Sequence, residues 1–140
     1  MSRTADHPIA PWLLSRHSPR AMSGEPVRDA ELDSLCEAAR WAPSSGNLQP
    51  WRLLVTVRDT PGFDALFATL AAGNQVWCQR AGVLLAWVSP SHDAKGRPLH
   101  SAAFDTGAAW MSLALQGQEL GLVIHAMAGF DAAQARAAMA

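Results

Sequence analysis

Only two cysteines occur in 140 residues, Cys36 and Cys78, far apart and outside any CxxC pattern. That excludes a disulfide framework, and with Cys36 on the apolar face of a predicted helix, both read as reduced, buried thiols of a cytoplasmic protein. The five histidines, His7, His17, His92, His100 and His125, keep no ligand spacing with one another or with the cysteines, which argues against a zinc site. Charge is scarce too. Charged residues make up 16% of the chain and the formal net charge is -1, so there is no electrostatic ground for nucleic acid or an anionic membrane as the main partner. No apolar run is long enough to span a bilayer, and the N-terminal stretch has no apolar core followed by a small-residue cleavage site, so neither membrane anchoring nor export is expected. Low-complexity tracts, repeats and linkers are missing, while 49% of the residues are hydrophobic. This predicts one globular domain over residues 1–140 with a sizeable core.

What is present alternates between helical and strand-like patterns. In "DAELDSLCEAARWA" the residues Leu32, Leu35, Cys36 and Ala39 fall at i, i+3, i+4 and i+7, which predicts an amphipathic helix with Asp29 as N-cap and Pro43 stopping the pattern. "WRLLVTVRD" (51–59) is apolar, rich in β-branched residues and bounded by prolines, so it reads as a strand. "PGFDALFATLAA" predicts a second helix, "NQVWCQR" a short third, and "GVLLAWVS" a buried strand, followed by the exposed connection "PSHDAKGRP". The longest periodic segment, 100–122, carries Phe104, Ala108, Met111 and Leu115 on one face and Ala103, Gly107, Trp110 and Ala114 on a second. A helix apolar on most sides belongs at the centre of the domain or of a dimer. Gly121 signals its end, after which "LVIHAM" is expected as a strand and "GFDAAQARAAMA" as a turn into a last helix. Strands separated by helices give an α+β or α/β domain.

Three stretches invite chemistry, each with a plainer alternative. In "SRHSPR" the guanidinium groups of Arg16 and Arg20, with His17 and the Ser18 hydroxyl between them, can clasp a phosphate; the alternative is a solvated basic surface. "APSSGNLQPW" holds the polar groups of Ser44, Ser45, Asn47 and Gln49 between Pro43 and Pro50, a stiff frame for a planar, heteroatom-rich ligand. It reads equally as a helix end closed by Gly46, with Asn47 satisfying backbone groups. In "HAMAGFD" the N–H groups of Ala128 and Gly129 are free to face a ligand, or the segment is an ordinary turn with Asp131 as N-cap. His125 has no G-x-S-x-G or other nucleophile context, so it reads as a packed or surface histidine. Asp105, inside an apolar helix, reads as a paired structural carboxylate.

Taken in chain order, "RHSPR", "RWAPSSGNLQPWRLLV", "GNQVW", "FDTGAAWMSLALQGQELGL" and "HAMAGFD" resemble the nitroreductase family of FMN-dependent oxidoreductases over nearly the whole chain. The resemblance implies an α+β, three-layer sandwich with an antiparallel sheet flanked by helices, assembled as a homodimer with FMN at the subunit interface. By matching position it implies Arg16 and Ser18 on the ribityl phosphate, with His17 beside them and Arg20 near the flavin N1 and O2 edge. Pro43, Ser44, Ser45 and Asn47 of the other subunit would line the far side of the flavin, with Gln49 supporting that loop. Asn74 would reach the pyrimidine edge, and the amides of Ala128 and Gly129 would face N5. It further implies hydride uptake from NAD(P)H and ping-pong delivery to a small acceptor such as a nitroaromatic or a quinone, with no side chain required as catalytic acid or base.

Family members continue past "GFD" through a further strand, which carries a basic residue for the phosphate, and an arm around the partner. The expected fold here lacks that final C-terminal strand and arm, leaving a sheet edge bare. Two readings follow: a short but working flavin reductase, or a truncated, non-catalytic module that binds flavin or dimerises.

Overall fold

The computed structural model describes residues 3–139. Its centre is a pair of antiparallel strands, β1 (Arg52–Val57) and β2 (Val83–Val88), in register with Leu53 opposite Trp87 and Thr56 opposite Leu84. Successive side chains on a strand point to opposite faces, so each face acquires its own core. Leu53, Leu85 and Trp87 pack on one side against α2 (Asp29–Arg40) and α5 (Ala102–Glu119), around buried Leu35, Ala39, Ala109 and Leu113. On the other side Leu84 and Ala86 meet Phe63 and Leu66 of α3 (Pro61–Ala68). The result is an α+β arrangement of helix, sheet and helix layers. The shorter helices α1 (Pro11–Ser15), α4 (Ala72–Cys78) and α6 (Ala132–Ala138) lie in the connections between these elements or at their ends.

Local chemistry explains most of the boundaries. Thr60 caps α3 by accepting from the Phe63 N–H, with Pro61 at the first helical position. Helix α5 ends in a Schellman motif: Gly121 takes φ 74°, its N–H reaches the Gln118 carbonyl, and the Leu122 N–H reaches that of Gly117. Asp29 is not the N-cap of α2. It is the first helical residue, Arg28 occupies the cap, and the Glu31 carboxylate bends back to accept the Arg28 N–H at 2.9 Å. Helix α1 was hidden from periodicity because five residues are too few to display it.

Two further expectations change. The core stripe of α5 follows neither of its two apolar faces as a whole. Ala102, Asp105, Ala109, Leu113, Ala114 and Gly117 are buried, and of these only Ala114 lies on one of those faces, whereas Phe104 is 82% exposed. Small residues let the neighbouring chain approach: a Cβ on Gly117 would lie 2.4 Å from Ile124 Cγ1. Residues 122–127 pair with no strand among the described residues. A strand exists only through a ladder partner, and here the outer edge of β2 and this segment line one cavity of about 930 Å³ instead of bonding to each other.

Of the two thiols, Cys78 is buried and Cys36 only half-buried. Leu35 and Ala39 occupy the middle of the α2 contact, which leaves Cys36 at its margin. Burial pushes both thiols up, helped at Cys36 by the Asp33 carboxylate, so neither has the character of an activated nucleophile. No helix among the described residues is long and apolar enough to cross a membrane. The last predicted helix extends to Ala140, which lies outside the described residues.

Candidate functional site

The basic strap begins where α1 ends. Arg16 is the C-cap, its N–H bonded to the Trp12 carbonyl at 3.1 Å, and its own carbonyl is held by the Arg3 guanidinium at 2.8 Å. Arg16 Nη1 points to Ser18 Oγ at 3.5 Å, a grouping of donors on adjacent turns of chain. His17 Nδ1 lies 3.1 Å from the Ser15 carbonyl. Arg20 is exposed and makes no hydrogen bond or ion pair with any described residue. Arg16 and His17 also line a small cavity of about 140 Å³ closed by Gln118, Gly121 and Val123. Farther along, the Ser23 and Gly24 carbonyls accept from Arg80 and Arg58, which pins the strap before α2 begins.

The polar loop is a strained frame. Helix α2 closes at Trp41, so Gly46 does not terminate it; instead Ser45–Asn47 form one short 3-10 turn. Gly46, Asn47 and Gln49 have φ of 57°, 54° and 47°. For Asn and Gln this left-handed backbone costs about 1–3 kcal/mol each and persists only where surroundings impose it. Ser44 Oγ accepts the Gln49 N–H at 3.0 Å, and the Asn47 side-chain oxygen accepts from Gln49 Nε2 at 3.2 Å. The Asn47 side chain thus bonds a neighbouring side chain rather than the backbone, and Gln49 supports the loop from within. Pro43 is exposed at its start and buried Pro50 closes it.

A tether to α5 escaped the sequence. Buried Asp105 accepts the Ser45 N–H at 3.1 Å, across sixty positions of chain. A carboxylate in an apolar helix was the only signal, and it could not name its partner. Hydrogen bonds to charged groups contribute roughly 1.5–3 kcal/mol. Asp105→Ala is therefore expected to release the loop: hydrogen–deuterium exchange at the Ser45 amide should speed up about tenfold or more. Unchanged exchange at that amide would show that the contact does not hold the loop.

The third element is the turn after residue 127. Gly129 accepts at its carbonyl from the Ala71 N–H and from Asn74 Nδ2, both at 2.9 Å, so Asn74 and Gly129 meet directly. A Cβ at Gly129 would sit 2.8 Å from Asn74 Nδ2, so a larger residue there would displace the Asn74 amide. The Ala128 and Gly129 N–H groups donate to no described residue. Asp131 caps α6 by accepting from the Ala133 and Gln134 N–H groups at 2.9 Å, and these bonds, that from Gln134 foremost, lower its carboxyl below the usual range. The turn is thus a capped helix start, preceded by two N–H groups without a partner among the described residues.

Strap, loop and turn are each assembled. Within one chain, no hydrogen bond between described residues joins the loop to the other two elements. Around the loop stand Trp41, Leu48 and Phe104, exposed by 77%, 58% and 82%.

A sequence profile described as the Nitroreductase family matches residues 13–62, which contain both strap and loop. An NADH dehydrogenase of Thermus thermophilus is 41% identical over 81 residues, a match that takes 58% of this chain and 38% of that protein's length. A crystal structure described as an oxidoreductase containing FMN superposes with a TM-score of 0.87 at 39% identity, covering 91% of this chain and 67% of that one. An FMN-dependent nitroreductase from Clostridium difficile R20291 superposes with a TM-score of 0.65 at 26% identity, over 79% of this chain and 60% of its own.

Proposed function

This chain belongs to the nitroreductase family, and from that premise we propose that it is an FMN-dependent oxidoreductase acting as a homodimer of single-domain subunits. The observation that carries the reading is a set of uncommitted donors. The Arg20 guanidinium and the Ala128 and Gly129 N–H groups bond to no described residue, and Arg16 with Ser18 adds more donors in the strap. A phosphate dianion and the acceptor-rich rim of a flavin are what such donors fit.

FMN bound there would supply the redox chemistry of hydride exchange between NAD(P)H and, in ping-pong order, a nitroaromatic, quinone or related small acceptor. Arg16 and Ser18 would bind the phosphate, with His17 alongside. Arg20 would stabilise negative charge at the N1 and O2 edge. Asn74, already fixed by Gly129, would offer its remaining amide capacity to the pyrimidine edge, and the Ala128 and Gly129 amides would donate to the N5 region. Pro43, Ser44, Ser45 and Asn47 of the partner subunit would cover the ring, braced by Gln49, and exclude water from it. A second copy also covers the exposed Trp41, Leu48 and Phe104. No side chain of the site has to act as a catalytic acid or base. A reducing, cytoplasmic setting suits the two unpaired thiols.

The test is colour. Purified protein supplied with FMN is expected to retain the yellow absorbance after gel filtration and to lose it when NADH or NADPH is added anaerobically. Protein that emerges colourless from gel filtration after incubation with excess FMN would favour the non-catalytic module instead.

A further inference from the structure

We propose that His125 is a positioning residue for the phosphate clasp: by holding the Pro19 carbonyl it fixes the Arg16–Arg20 strap in the shape that recognises a phosphate monoester. The proposal rests on reading that strap as the phosphate site. His125 Nδ1 lies 2.9 Å from the Pro19 carbonyl oxygen. Among the described residues, this is the sole hydrogen bond from residues 17–22 to a segment remote in the chain; the contacts of His17 and Ser18 are local, to Ser15 and Arg16. Pro19 stands between Ser18 and Arg20, and its ring restricts φ, so a bond at this carbonyl acts directly on both neighbours.

The chemistry of the bond determines the tautomer. A carbonyl oxygen only accepts, so Nδ1 carries the hydrogen and, in the neutral ring, Nε2 does not. The ring is itself held: the indole of Trp77 lies 4.3 Å from it, centroid to centroid, tilted by 37°. Trp77 belongs to α4, the helix whose Asn74 grips Gly129. The segment from His125 to Gly129 therefore ties the strap and the amide turn to one helix, setting the spacing between a phosphate contact and a ring contact.

The test compares FMN with riboflavin, which lacks the phosphate, by fluorescence titration of the wild type, His125→Ala and His125→Asn. The Asn amide nitrogen stands where Nδ1 stands. His125→Ala is expected to weaken FMN about threefold to tenfold and riboflavin less than twofold, with Asn recovering most of the loss. Nitrogen NMR of histidine-labelled protein without flavin should show His125 as the Nδ1–H tautomer. Equal weakening of both flavins, failure of Asn to restore binding, or an Nε2–H tautomer would overturn the proposal. If His125→Ala does not fold, His125→Asn against His125→Gln makes the same comparison, with Gln expected to fail. If the wild type binds neither flavin, the flavin reading falls, and inorganic phosphate, followed by phosphorus NMR line width, decides alone: binding lost in the variant supports the clasp, and binding absent or unchanged overturns it.

Discussion

Arg16→Ala is expected to weaken FMN binding about tenfold to a hundredfold, the loss of the one charge-assisted contact to phosphate that the proposed site gives it, worth roughly 1.5–3 kcal/mol. Arg136→Ala, in the last turn of α6, removes an equal charge from an exposed position and should leave affinity within about twofold, since a solvated surface charge acts weakly at a distance. The contrast separates a placed guanidinium from general attraction of an anion. Arg16 is held in place before any ligand arrives, because its backbone caps α1, Arg3 grips its carbonyl, and its side chain leans on Ser18. Little further ordering is left to be done on binding. Fluorescence titration with FMN measures both variants, and equal losses would remove Arg16 from the phosphate.

Leu113→Ala is expected to lower the unfolding free energy by roughly 2–5 kcal/mol, the cost of lost apolar burial plus the cavity left behind. Leu113 is 1% exposed, at the point where α5, α2 and the Leu53 face of the sheet converge. Against a typical total of about 5–15 kcal/mol, that is enough to leave much of the chain unfolded on mild heating. Val76→Ala on α4, where the side chain is 72% exposed, should change stability by no more than about 0.5 kcal/mol. Urea titrations of the two variants decide, and similar midpoints would mean that the core does not centre on α5.

The same helix shows where reading by pattern stops. Periodicity placed α5 and its glycine terminator correctly, because a Schellman end needs only residues within a few positions of each other. With two apolar faces it could not say which stripe packs inward, because the contact actually made depends on how closely Leu35 and Ile124 approach the small residues Ala109 and Gly117. The strand expected over 122–127 failed for a related reason. Its apolar composition suits a strand, but a strand needs a partner edge, and composition does not supply one.

The site divides along the same line. Arg16 with Ser18, and the polar loop with its flanking prolines, were legible because each lies within a few residues of chain, where spacing alone brings groups together. The Asp105 bond to Ser45, the Asn74 bond to Gly129 and the His125 bond to Pro19 join positions 60, 55 and 106 apart. By itself the sequence determined the longer helices, the two strands that pair, the Gly121 terminator, the Asp131 cap and the identity of the donors. Only the tertiary structure decided which of these meet, because a single hydrogen bond between remote segments leaves no periodic trace and exists only once the cores on both faces of the sheet have brought its ends together.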